Sequence, residues 1–167
     1  MQALPVDPAR IRAAWQGRIS GCQLGKPVEV LSSTQGHAAL TQYLTQAGAL
    51  PLRDYVPLLE DTLVALPSLR DCTRGNLTRC EPDDDINYSV LALMLLEQHG
   101  VDLTTEDVAR GWISWLPGGM VFTAERYAYQ VMLEHADLGF SFGGPAGFDL
   151  SLCSDNEWND WIGAQIR

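Results

Sequence analysis

The residues best suited to chemistry gather in one octet, Glu81-Pro82-Asp83-Asp84-Asp85-Ile86-Asn87-Tyr88. Three consecutive carboxylates stand there at the mouth of an apolar run, Ser89-Val90-Leu91-Ala92-Leu93-Met94-Leu95-Leu96. Two roles suit them. An aspartate at a helix start can cap backbone N–H groups and sits at the positive end of the helix dipole. One aspartate is enough for that. Three in a row repel one another, and something must offset the repulsion. Clustered carboxylate oxygens are also the ligands that a hard divalent cation such as Mg²⁺ or Mn²⁺ takes. Cap and metal site both account for the triplet alone.

The element that must position these carboxylates is the apolar run itself. Ile86, Val90, Leu93, Met94 and Glu97 fall at helical spacing, which predicts a mostly buried helix with Pro82 and the aspartates at its start. A second segment precedes it. Asp7-Pro8 predicts an N-cap followed by proline in the first turn. Ile11, Ala14, Trp15, Ile19 and Cys22 then trace one helical face into Gly17-Arg18-Ile19-Ser20-Gly21-Cys22-Gln23-Leu24-Gly25-Lys26-Pro27-Val28-Glu29. Gly21 and Gly25 permit close helix packing and a chain turn, and a Gly-rich helix end is the plainer account of the spacing.

The octet resembles the acidic metal-binding motif of the ADP-ribosylglycohydrolase family (dinitrogenase reductase-activating glycohydrolase-like), which follows Thr-Asp-Asp-Thr. Asp83-Asp84-Asp85-Ile86 stand in those four places, with Asp84 and Asp85 matching the central aspartates. Asp83 replaces a threonine yet still offers oxygen. Ile86 replaces a threonine and offers none. The glycine-rich segment is similar to the family's Gly-x-x-x-Gly-Asp-x-x-Gly-x-Pro-x-Glu: Gly17, Gly21, Gly25, Pro27 and Glu29 match in order, and Cys22 stands where the aspartate is common. The terminal Trp161-Ile162-Gly163-Ala164-Gln165-Ile166-Arg167 resembles the family's Gly-Asn-Gly-x-x-Met-Arg substrate loop. Gly163 and Arg167 match there, while Trp161 and Ile162 replace Gly-Asn.

Elsewhere the chain reads as helices and loops. Ser32 or Ser33 is expected to cap a helix through about Gln46, ended by Gly48. Pro51, Pro57 and Pro67 break the pattern, and Arg70 to Asn76 reads as a polar loop. Gln98-His99-Gly100 ends the central helix. Thr104-Thr105-Glu106-Asp107 starts the next with the flavour of a capping box, and Pro117-Gly118-Gly119 stops it. Val108, Trp112, Ile113, Trp115 and Leu116 form its expected apolar face. Thr123-Ala124-Glu125 opens another helix, with Tyr127, Val131 and Met132 facing inward. The tryptophans read as core, and His99 and His135 as helix-end residues. Residues 139–155 are rich in Gly, Phe and Ser and read as a loop. No strand pattern competes, so the fold is expected to be all-α, in a single domain over 1–167.

The 167 residues suffice for a domain with a real core. The net charge of −10 argues against a nucleic-acid-binding surface, which needs clustered Lys and Arg. None of Cys22, Cys72, Cys80 and Cys153 forms a Cys-x-x-Cys pair, which argues against zinc. No apolar run is long enough to span a bilayer and no signal peptide is evident, so a cytoplasmic protein with reduced thiols is the default.

The resemblance implies an orthogonal, many-helix ADP-ribosylglycohydrolase fold and hydrolysis of a glycosidic bond at the ribose carbon of an ADP-ribosyl group. The substrate would be an ADP-ribosylated protein or a small ADP-ribosyl or ribosyl compound. The implied cofactor is a pair of Mg²⁺ or Mn²⁺ ions, with Asp83, Asp84 and Asp85 as ligands and Asp84 also as a catalytic carboxylate. Glu29 would contact water or ribose, and Gly163 and Gln165 would contact substrate. The family carries a second acidic motif and a substrate-contacting histidine that these residues lack. The chain is therefore read as the N-terminal part of such an enzyme. By itself it is expected to hold one ion or none, to be inactive, and to self-associate or pair with a complementary C-terminal chain. The alternative is a non-catalytic helical module that binds a nucleotide or a partner. A third reading makes the aspartates caps alone.

Overall fold

A computed structural model describes residues 7–60, 69–136 and 149–160. The chain forms two compact units, Met1–Asp83 and Asp84–Arg167. The fold is all-α, with no strand among the described residues. No described helix is long and apolar enough to cross a membrane.

In the first unit, α1 (Pro8–Gln46) starts where Asp7-Pro8 predicts, with the Asp7 carboxylate accepting the Ala9 N–H at 2.9 Å. The expected helix end near Gly21 and Gly25 is absent. The helix runs on through Pro27, and a Cβ added at Gly17, Gly21 or Gly25 would meet nothing within 4 Å among the described residues. Those glycines therefore serve no close packing there. The break falls instead at Gly36, where φ 79 and ψ 178 leave the helical region and divide the element into 8–35 and 37–46. Ser32 and Ser33 do not cap a new helix. Their hydroxyls donate back to the carbonyls of Glu29 and Val30, and Thr34 donates to Val30 O at 2.6 Å. A hydroxyl that can serve a cap can equally satisfy the preceding turn. The far end is as expected. Gly48 takes φ +59, and Ala47 N–H and Gly48 N–H return to the carbonyls of Tyr43 and Thr45.

The core of this unit is Leu31, Tyr43, Leu44, Ala49 and Val56. Tyr43 is fully buried, which pushes its phenol pKa up, and its hydroxyl is used twice. It donates to Pro57 O at 2.8 Å and accepts the Leu59 N–H at 3.0 Å. The 70s close the unit through a 3₁₀ turn, Arg70–Cys72, followed by Thr73 donating to Arg70 O and Arg74 N–H donating to Val56 O.

The second unit contains α2 (Asp84–His99), α3 (Thr105–Trp115) and α4 (Thr123–His135), then a 3₁₀ segment, Leu150–Ser154. The inward face of α2 differs from the expected one. Tyr88, Leu91 and Leu95 are buried, whereas Val90, Leu93 and Met94 are exposed. An apolar run with hydrophobic residues all round has no periodicity to choose its face. Packing against α3 chooses it. Gly111 leaves so little room that a Cβ there would lie 2.8 Å from Leu95 Cδ2, and Trp112 packs its ring on Tyr88 at 5.1 Å between centroids. Leu116 and Val121 complete this cluster, and Ala109, Ile113 and Met132 form a second. Trp112 and Tyr129 border both clusters, while Trp115 is exposed rather than core.

The capping box of α3 is present. Thr104 Oγ1 accepts the Asp107 N–H at 3.2 Å, and Asp107 Oδ2 accepts the Thr104 N–H at 2.8 Å and its hydroxyl at 2.7 Å. These bonds hold the Asp107 pKa below the usual carboxylate range. A lowered folded-state pKa stabilises above the unfolded value, and the stability is lost as the pH falls through the lowered value. Thr104→Ala is expected to cost about 1 kcal/mol at neutral pH. In acid the gap to the parent should narrow as Asp107 protonates. Urea unfolding of both proteins across the acid range measures it, and a gap independent of pH would show that Asp107 is not the acceptor in solution.

Candidate functional site

The first unit ends within the acidic octet, at Asp83, and α1 holds Glu81 and Asp83 in place. Gln23 is buried and brackets the backbone of Glu81: its Oε1 accepts the Glu81 N–H at 2.9 Å and its Nε2 donates to Glu81 O at 3.2 Å. A side-chain amide facing a backbone N–H and C=O satisfies both as a strand neighbour would. The buried Cys72 thiol donates to the same Gln23 Oε1 at 3.4 Å. Burial pushes the Cys72 thiol pKa up, the Glu81 carboxylate adds to the shift, and Lys26 opposes it.

One turn along α1, Lys26 Nζ lies 2.9 Å from Asp83 Oδ2. The two side chains are 17% and 8% exposed. This ion pair matches one of the three aspartate charges. Asp83 also has an oxygen within 4.8 Å of Cys22 Sγ. Cys22, Gln23 and Lys26 belong to the glycine-rich segment, and Glu81 and Asp83 to the octet. The two segments, separated by more than fifty residues, therefore meet within the first unit.

The second unit opens on the other two aspartates. Asp84 and Asp85 occupy the first turn of α2, both half-buried, and the Asp85 carbonyl accepts the Ser89 hydroxyl at 2.9 Å. Carboxylates there lie at the favourable end of the helix dipole. Ile86 follows and brings no ligand atom.

Glu29 lies three residues beyond Lys26 on α1 and is exposed. It stands within a continuous helix, not beyond the helix end and chain turn expected at Gly21 and Gly25. Gly163 and Gln165 lie outside the described residues. His99 ends α2, with Nδ1 3.5 Å from Asp107 Oδ1, and His135 ends α4, both helix-end positions as expected. None of the four cysteines, all of them described, forms a disulfide.

Gln23 and Lys26 are the residues that sequence reasoning missed. One signal was available: Lys26 is the sole lysine of the chain. As donors for a divalent ion the acidic residues divide. Asp84 and Asp85 supply hard carboxylate oxygens of the kind Mg²⁺ and Mn²⁺ take. Asp83 already has an ammonium partner, and the nearby Cys22 sulfur is a soft donor that suits neither ion. The set fits one largely water-ligated ion better than two. No family model, no curated protein and no solved structure matches the chain.

Proposed function

We propose that this chain is an ADP-ribosylglycohydrolase-like module, a hydrolase of the glycosidic bond of an ADP-ribosyl or related ribosyl group. One observation supports the reading above all. Residues of the two segments that carry the resemblance, 17–29 and 81–83, pair within the first unit through Gln23–Glu81 and Lys26–Asp83. The resemblance implies that these segments share one site, and their pairing supports that. In this reading Asp84 and Asp85, in the first turn of α2, hold Mg²⁺ or Mn²⁺. Asp84 is also the candidate base. When bound, the ion would supply Lewis-acid charge to ribose oxygens and acidify a water. Glu29, exposed on α1, is the candidate contact to water or ribose.

A second reading is favoured by a specific observation. Because Lys26 already matches Asp83, the triplet has one carboxylate fewer for metal, which suits a non-catalytic helical module that binds a nucleotide or a partner.

The assay that separates the two is release of ADP-ribose from an ADP-ribosylated protein, run on the intact protein that carries these residues, with Mn²⁺ or with chelator. The hydrolase reading expects metal-dependent release. It also expects Glu29→Gln to lower turnover while unfolding stability moves by no more than about 0.5 kcal/mol, as for other surface changes. Release that is absent with Mn²⁺, or unchanged by chelator, supports the binding module instead.

A further inference from the structure

The second unit has a cleft that shares no residue with the acidic octet. Its volume is about 420 Å³, and it is lined by Phe122, Thr123, Arg126, Tyr127, Gln130 and Trp158. That volume lies in the range of small-molecule sites, roughly 300–1,000 Å³. Three of the six side chains are aromatic, one is cationic and none is acidic. Tyr127 and Trp158 meet edge to face, 6.4 Å between centroids at 61°, which fixes a corner of two flat walls. Phe122 is 57% exposed, so a third ring stands in water with a face to offer.

Arg126 supplies the charge. Residues 84–160 contain only two arginines and no lysine. Arg110 is paired with Glu106 on its own helix. Arg126 instead donates through Nη2 to Val121 O at 2.9 Å. That bond anchors one edge of a planar group that has five N–H donors, and the guanidinium fork matches carboxylate or phosphate oxygens two at a time. Thr123 and Gln130 add a hydroxyl and an amide beside it.

The geometry points to a binding site for a flat aromatic ring that carries an anionic group, the ring against Phe122 and the Tyr127–Trp158 corner and the anion on Arg126. Carboxylate and phosphate share that chemistry. Because the protein carries a net charge of −10, long-range attraction of an anion is absent, and both halves of the ligand must contribute.

The test titrates the whole chain with phenyl phosphate, benzoate, phenol and inorganic phosphate, read by NMR at the Trp158 indole N–H, assigned with Trp158→Phe. Phenyl phosphate or benzoate is expected to bind about tenfold more tightly than phenol or inorganic phosphate, and the stronger of the two identifies the anion. Arg126→Gln should weaken the ring-bearing anions about tenfold and leave phenol unchanged. Phe122→Ala should weaken every ring-bearing probe. Arg126→Lys keeps a donor for Val121 O and loses the fork, so it should retain the helical circular dichroism and still bind the anions more weakly. The site is overturned if phenol or inorganic phosphate binds as tightly as both ring-bearing anions. It is equally overturned if folded Arg126→Lys and Phe122→Ala bind them as the parent does, or if no probe moves the Trp158 signal.

Discussion

Lys26→Met is expected to destabilise the protein by about 2 kcal/mol, because it removes a part-buried, charge-assisted hydrogen bond to the Asp83 carboxylate. The pair lies between an exposed surface bridge and a fully buried one. Its atoms are 2.9 Å apart, and its side chains are 17% and 8% exposed. Methionine keeps most of the apolar stem, so loss of packing contributes little. The double variant Lys26→Met/Asp83→Leu should recover much of the loss, since replacing both partners of a buried pair by apolar groups is often neutral. Urea unfolding of the parent, the single and the double variants forms the cycle. A loss within about 0.5 kcal/mol for the single variant, as for an exposed pair, would remove Lys26 as the anchor of Asp83.

Asp84→Ala is expected to weaken Mn²⁺ binding about tenfold or more while costing only about 0.5 kcal/mol of stability. The stability term is that of one carboxylate in the first turn of a helix, where the dipole interaction is small and screened by salt. The affinity term is large because the proposed site has two carboxylates, both in the first turn of α2, and Asp84 is one of them. A pure cap or dipole role predicts the reverse ordering, a measurable loss of stability with no change in metal affinity. Asp83→Asn separates the two kinds of aspartate: it should disturb stability through Lys26 more than it disturbs the ion.

Features encoded within one or two helical turns were legible from the sequence. Asp7-Pro8, Gly48 and the Thr104/Asp107 box mark helix ends by bonds that span a few residues, and each is found where local chemistry predicts. The helical class followed from the same signals. The face of α2 was not legible, because Ser89 to Leu96 is apolar on every side and the choice of Tyr88, Leu91 and Leu95 is made by Gly111 and Trp112 on another helix. The break in α1 was misplaced because Ser32 and Ser33 look like caps in sequence, while their hydroxyls serve the preceding turn and the positive φ belongs to Gly36. At the site, the three aspartates stand out as a cluster, yet the partner of Asp83 comes from a lysine 57 residues away, a pairing no local pattern contains. Glu29 was placed at a turn because Pro27 usually ends a helix; here Pro27 is buried inside one.

The account rests on the start of α2 being a divalent-cation site, and Mn²⁺ titration of the unsubstituted chain, followed by electron paramagnetic resonance and competed with Mg²⁺, tests that most directly. The account predicts one bound Mn²⁺, displaced by Mg²⁺, with binding strongly weakened in Asp84→Ala. No bound Mn²⁺ in the parent, or the same affinity in parent and Asp84→Ala, would contradict it.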